Sequence, residues 1–289
     1  MKLPDNVGGA LESICDELAR HDLWYGHGTD NPRDEATALV MGALHVSFDA
    51  LSTSRTLTEG ERLRLETLLR RRIVERIPVP YLVGEAWFAG HRFTIDPSVL
   101  IPRSPIAEMI EDRFRPWLAN EPAMVLDLCA GSGCIGIACA LELTSSRVTL
   151  AELSPSAVAI AGRNVALHRV TDRVDVRQGD LFEAVRGARF DLIVSNPPYV
   201  DANDFDALPP EYRHEPTLAL KAGTDGLDIV RRILADASEH LTERGVIVVE
   251  VGNSVDALLD AFPQLPFVWP DFRSSPAHDV FVLEKADLR

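Results

Sequence analysis

A chain of 289 residues is long enough for two domains, and 46% hydrophobic with 25% charged residues is the balance of an ordinary soluble globular protein. No run approaches ~18 uninterrupted apolar residues, and Met1-Lys2-Leu3-Pro4-Asp5-Asn6 lacks an apolar signal core, so the expectation is a cytoplasmic protein without a membrane span or secretory leader. The formal charge of −15 argues against non-specific nucleic-acid binding and for a basic partner, while Cys15, Cys129, Cys134 and Cys139 show neither zinc nor disulfide spacing.

From Gly9 to Tyr25 the apolar residues Leu11, Ile14, Cys15 and Leu18 recur at helical spacing. A second helix is predicted from Asn31-Pro32 through Leu39, Val40 and Leu44, and a third from the capping pattern Thr58-Glu59-Gly60-Glu61 through Leu65, Leu68, Leu69 and Ile73. Residues 1–82 therefore read as a small helical domain. Ile77-Pro78-Val79-Pro80 cannot continue a helix and marks its end. Residues 83–103 read as a linker, with Ala86-Trp87-Phe88 and Arg92-Phe93-Thr94-Ile95 flanking Ala89-Gly90-His91 as a β-hairpin that can act as a hinge. Arg103, bounded by prolines before a Ser104-Pro105 helix start, is either a surface charge or a group facing the site from the linker side.

Residues 104–289 alternate helix and strand. Strands are predicted at Val125–Leu128, Val148–Glu152, Val174–Val176, Leu192–Ser195 and Val246–Val251, the last of them central because it is so apolar. A strongly amphipathic helix runs through Leu227, Val230, Ile233, Leu234 and Leu241 and stops before Gly245, and a short one runs from Ser254 to Phe262. Phe267-Val268-Trp269 and Val280–Leu283 are read as a closing antiparallel hairpin. The expected fold is α/β: a doubly wound, mostly parallel sheet with helices on both faces.

Two stretches carry chemistry. After the first strand comes Asp127-Leu128-Cys129-Ala130-Gly131-Ser132-Gly133-Cys134-Ile135-Gly136, with G-x-G-x-x-G at Gly131, Gly133 and Gly136, and Glu152 closes the second strand where an acid can hold a ribose. A dinucleotide fits the glycines, its pyrophosphate against the helix. S-adenosyl-L-methionine, which is cationic and has no phosphate, fits the acids better: Asp127, Glu152 and Asp180 end three successive strands, although each alone also reads as a strand-end cap. After the fourth strand, Asn196-Pro197-Pro198-Tyr199 forms a stiff loop. Its Asn196 side-chain oxygen and Pro197 carbonyl can hold both hydrogens of a planar –NH2 group, with Tyr199 as a stacking wall; the plainer reading is a proline-rich turn.

Together these residues resemble the class I methyltransferases of planar amino and amide nitrogens, which include DNA adenine-amino and protein glutamine enzymes. The helical start, the hairpin and Ile101-Pro102-Arg103 resemble the glutamine branch over nearly the whole chain. Pro102-Arg103-Ser104-Pro105-Ile106, Glu211-Tyr212-Arg213-His214-Glu215-Pro216, Gly223-Thr224-Asp225-Gly226 and Pro266-Phe267 are similar to the group acting on large-subunit ribosomal protein L-three. The resemblance implies transfer of a methyl group from S-adenosyl-L-methionine to a glutamine side-chain nitrogen, with S-adenosyl-L-homocysteine as product. The implied substrate is that basic protein, free or in an assembly intermediate, with no nucleic-acid specificity. It assigns Asp127, Gly131 and Gly133 to the methionine side of the cofactor, Glu152 to the ribose, and Asp180 with Leu181 to the adenine, and it counts Cys129, Ala130 and Ser132 among the cofactor-binding residues. Asn196, also beside the cofactor, and Pro197 carry catalysis, and together with Pro198, Tyr199 and Arg103 they bind substrate. Two departures stand out: Cys129 replaces a usual glycine in a turn that must tolerate a Cβ, and Glu152 is one methylene longer than the usual Asp. Rival readings are a release-factor glutamine methyltransferase, a DNA adenine methyltransferase and a non-catalytic ribosome-assembly factor.

Overall fold

The computed structural model describes residues 2–273 and 279–288. Three helices, α1 (Val7–Ala19), α2 (Pro32–Leu44) and α3 (Glu59–Val74), start where polar side chains satisfy their free N–H groups. Asn6 accepts from the Gly9 N–H, Asn31 from those of Arg33 and Asp34, and Thr58 and Glu61 form the capping box. The Asn6 cap starts α1 two residues before Gly9, and α1 ends well short of Tyr25. Their apolar stripes, including Ile14, Leu18, Leu39 and Leu65, close on one another as a separate core, each side chain worth about 1.5–3 kcal/mol of burial.

The Ile77–Pro80 break ends α3, but the chain does not run on extended. Pro80 lies in the first turn of a short helix, α4 (Val79–Val83), which Gly84 closes at φ +77°. Then β1 (Glu85–Phe88) and β2 (His91–Thr94) pair antiparallel about Ala89-Gly90, both at positive φ. The hairpin is fastened to the second half of the chain, not poised as a free hinge. Phe88 and Phe93 join the core of the large sheet, and buried Asn164 exchanges hydrogen bonds with the Thr94 backbone (2.8 and 2.9 Å) and donates to the Ser132 carbonyl (2.9 Å).

After α5 (Ile106–Glu111) the chain alternates β3 (Met124–Leu128), α6 (Cys134–Glu142), β4 (Arg147–Glu152), α7 (Pro155–Leu167), β5 (Val174–Gln178) and β6 (Phe190–Ser195). It continues through α8 (Ala202–Ala207), α9 (Asp228–His240), β7 (Leu241–Glu250), α10 (Val255–Ala261) and β8 (Val280–Glu284). The strand order is β5-β4-β3-β6-β7-β8, parallel except for β8 against β7. This is the class I methyltransferase form of a doubly wound sheet. Its order reverses between β3 and β6, so their carboxyl ends flank the crevice where such sheets bind ligands.

Three expectations change here. Apolar β7 is interior but next to the edge strand; β3 and β6 are central. Leu241 leaves α9 and opens β7 opposite Phe190, with a register shift before Leu192. The closing hairpin is reduced to one antiparallel bridge, in which Val268 and Val282 exchange backbone hydrogen bonds (3.2 and 2.8 Å), while β8 pairs over five residues with β7. Phe267 and Trp269 instead pack edge-on against Phe281, at centroid distances of 4.9 and 6.1 Å.

Candidate active site

At the switch point a cavity of about 310 Å3 opens beside the carboxyl ends of β3, β4 and β6. Ten of the residues singled out from the sequence line it: Arg103, Cys129, Ala130, Gly131, Ser132, Glu152, Asp180, Leu181, Asn196 and Pro198. Four do not: Asp127, Gly133, Pro197 and Tyr199.

The turn after β3 is built on backbone that L-residues rarely adopt. Cys129, Gly131 and Gly133 lie at φ +59°, +56° and +79°. Cys129 therefore does tolerate its Cβ, at the roughly 1–2 kcal/mol that left-handed backbone costs. At Gly131 an added Cβ would meet nothing within 4 Å, so it would project into open space, whereas at Gly136 it would lie 2.2 Å from Leu150 Cδ2 and 3.0 Å from Asp127 Oδ2. Thus Gly131 keeps the cavity open, and Gly136 lets α6 approach the sheet.

Asp127 is buried behind this turn. Its Oδ2 accepts the Gly136 N–H at 2.8 Å, while Oδ1 is buried with no hydrogen-bond partner among the described residues. Burial pushes its carboxyl up to about 7, with only the Gly136 N–H opposing. Glu152 braces the turn from β4, its Oε2 accepting from Gly131 N–H and its Oε1 from Ser154 N–H, both at 2.8 Å. Asp180 is held by Arg232 at 2.8 Å, and Leu181 beside it sits at φ +49°.

The Asn196-Pro197-Pro198-Tyr199 loop leaves β6 where Ser195 Oγ donates to the Leu128 carbonyl (2.8 Å), tying it to the glycine-rich turn. Asn196 is half-buried on the cavity wall, and its side-chain amide has no hydrogen-bond partner among the described residues. Tyr199 is not the expected stacking wall. Its hydroxyl donates to Glu250 Oε1 (3.0 Å), and its ring covers Gly252 so closely that a Cβ there would lie 2.3 Å from Cε2. Ser254 Oγ also donates to the Tyr199 carbonyl at 2.9 Å, so Tyr199 anchors the loop from behind.

Arg103 lines the cavity from the linker side. Its Nη1 and Nη2 each donate to Glu215 at 2.7 Å, and its guanidinium lies 5.4 Å from the Tyr212 ring centre. Burial alone would raise the Glu215 carboxyl, but Arg103 and His27 outweigh it and hold it at about 2. His214 lies elsewhere, 2.8 Å from the Glu75 carbonyl. Sequence reasoning missed Glu215 as the partner of Arg103 and Arg232 as that of Asp180. Nothing in a linear sequence signals a pairing across 112 residues.

The family model described as PrmC N-terminal domain matches residues 16–84, and that described as Methyltransferase small domain matches residues 115–208. A ribosomal protein uL3 glutamine methyltransferase from Francisella tularensis is 46% identical over 261 residues, which cover 89% of this chain and 83% of that protein. One from Bordetella pertussis is 47% identical over 268 residues, covering 91% and 89%. The chain belongs to the ribosomal protein uL3 glutamine methyltransferase family. The likeness extends in fold alone to the hMettl16 catalytic domain in complex with MAT2A 3'UTR hairpin 6, at a TM-score of 0.51 and 16% identity over 80% of this chain and 84% of that one. In this methyltransferase Asn196 and Pro198 of the tetrapeptide and the glycine-rich turn line one cavity.

Proposed function

We propose that this enzyme methylates the side-chain nitrogen of a glutamine in ribosomal protein uL3, using S-adenosyl-L-methionine. The observation that carries the reading is the Asn196 amide, half-buried and unpartnered among the described residues, on the same cavity as Gly131, Glu152 and Asp180.

The donor set supports the cofactor. Carboxylates surround the glycine-rich turn, and the orphaned Asp127 Oδ1 favours a nearby cation, whereas a pyrophosphate would meet like charge. Asp127, Gly131 and Gly133 would serve the methionine side, Glu152 the ribose, and Asp180 with Leu181 the adenine. When bound, S-adenosyl-L-methionine supplies an electrophilic methyl group on sulfur and leaves as S-adenosyl-L-homocysteine.

The chain's own task is to make an amide nitrogen nucleophilic. Its lone pair is delocalised by the resonance that gives an amide bond its ~18–20 kcal/mol rotational barrier. Acceptors at Asn196 Oδ1 and the Pro197 carbonyl, taking both –NH2 hydrogens, favour a pyramidal nitrogen. Each such fixed dipole is typically worth ~100- to 1000-fold, and holding the reactants in place adds ~7–11 kcal/mol. No general base is assigned; the alkylated amide loses its proton to water. Pro198 and Arg103 line the substrate side, and Tyr199 braces the loop.

Labelled-methyl transfer into three separate substrates, the basic ribosomal protein, a release factor and DNA, with mass-spectrometric mapping, tests this reading. Label on a glutamine of the ribosomal protein is expected; label only in a release factor or DNA overturns it.

A further inference from the structure

A second cavity, of about 520 Å3, shares Pro102 with the first. Its apolar floor comes from Ala38 and Met41 of α2 and Val79 and Val83 of α4. These helices meet so closely that a Cβ at Gly42 would lie 2.5 Å from Val83 Cβ. Phe48 of the helical region, 70% exposed, and Trp87 of the linker hairpin, 53% exposed, both stand in its lining. Isolated exposed aromatics need no explanation, but two on one groove mark a contact surface.

The charges in this groove have one sign. Asp34, Asp49 and Glu85 line it, and no lysine or arginine among the described residues does. Glu85 is paired with Arg92 at 3.1 Å and Asp34 accepts from the Asn31 amide, whereas Asp49 is exposed and makes no ion pair or hydrogen bond among the described residues. Aromatic faces beside carboxylates attract ammonium and guanidinium groups. The groove adjoins the catalytic cavity: Pro102 contributes to both, and His27 in its wall lies 3.6 Å from Glu215, the partner of Arg103.

We propose that this groove docks a lysine- or arginine-bearing segment of the protein substrate that flanks the acceptor glutamine, its cationic side chain held between Trp87 and Phe48 against Asp49. The proposal rests on the reading above, that the substrate is a basic ribosomal protein. Proteins that neutralise RNA phosphates are rich in such side chains, and an acidic groove repels the RNA itself.

The test measures labelled-methyl transfer into the intact ribosomal protein by Trp87→Ala, Phe48→Ser and Asp49→Asn, with Asp236→Asn, at an exposed position of α9, as a control for overall charge. In Trp87→Ala, KM for the protein rises roughly tenfold, the scale of an interface anchor, while kcat at saturation changes by less than about twofold. Asp49→Asn flattens the rise of KM with ionic strength, and Asp236→Asn does not. All three groove positions are exposed, so thermal melts matching the parent confirm folding. If the parent labels the ribosomal protein and the groove variants keep its KM, the groove proposal falls alone. If the parent does not label it, the functional reading falls and takes the proposal with it. A parent dimer that Trp87→Ala splits would assign the groove to a second copy and overturn the proposal.

Discussion

Arg103 and Glu215 meet through two parallel N–H···O bonds of 2.7 Å, joining the linker to the loop that follows the tetrapeptide. The Glu215 side chain is fully buried, that of Arg103 about a quarter exposed. Glu211, four residues earlier, reaches the helical domain, accepting from Arg72 at 3.1 Å and from the Trp24 N–H at 3.1 Å. One loop thus fastens the helices, the linker and the site. Replacing Glu215 by Gln leaves Arg103 without its countercharge and is expected to cost about 3–5 kcal/mol, read from urea unfolding at pH 7.

The same pair sets an acid limit. Glu215 is depressed to about 2 in the folded chain, below its unfolded value near 4.5. Its stabilisation is therefore complete above pH ~4.5 and is lost as pH falls towards 2. Unfolding free energies measured from pH 5 to 2.5 should fall more steeply in the parent than in Glu215→Gln.

Glu250 acts with the opposite sign. It is buried, accepts from the Tyr199 hydroxyl (3.0 Å) and Ser104 Oγ (2.6 Å), and burial pushes its carboxyl up to about 7. Below pH ~4.5 both the folded and unfolded states hold the proton. Between about 4.5 and 7 only the folded state does, so this group lowers stability as pH rises and has no further effect above 7. Glu250→Gln should gain on the parent over that window by on the order of 3 kcal/mol at most, measured by urea titration at pH 4.5, 6 and 8. A constant difference across those pH values would refute the assignment.

The contrast between these carboxylates explains what the sequence disclosed. Caps at Asn31 and Thr58, the parallel strands and both site motifs are local patterns, set by neighbouring residues, and were legible. The place of β7 was not, because its apolarity reports burial on both faces, which an interior strand beside an antiparallel edge shares with a central one. Leu241 fits a helix stripe equally well until Phe190 supplies its strand partner. The tetrapeptide was visible, but the direction of Tyr199 depends on Glu250 and Gly252, about 50 residues away. In sequence Pro80 signals a stop, yet at a first helical turn proline starts a helix, here α4.

Asp127 offers a test of the cofactor side that is independent of turnover. Its carboxyl, raised to about 7 by burial, carries a charge only above that pH. A cationic ligand near the turn is favoured by the ionised form, so affinity for S-adenosyl-L-methionine should weaken as pH falls from 8 to 6, by roughly three- to tenfold. Asp127→Asn should bind more weakly at pH 8 and lose the pH dependence. Titration calorimetry measures both, and a parent affinity independent of pH would separate Asp127 from the cofactor.

The sharpest test falls on Asn196. Its side chain lines the cavity without a hydrogen bond to any described residue, so removing it breaks no internal hydrogen bond among them, and folding should survive. Asn196→Ala deletes one of two acceptors and should lower kcat by ~100- to 1000-fold, with S-adenosyl-L-methionine affinity changed by less than a few-fold. Asn196→Asp keeps an acceptor oxygen but loses the –NH2 donor, and should retain more activity than Asn196→Ala. Single-turnover methyl transfer alongside calorimetric cofactor binding separates the two effects. An Asn196→Ala enzyme that transfers methyl groups at the parent's rate would remove the carboxamide clamp from the mechanism, because no other unpartnered amide among the residues lining this cavity could replace it.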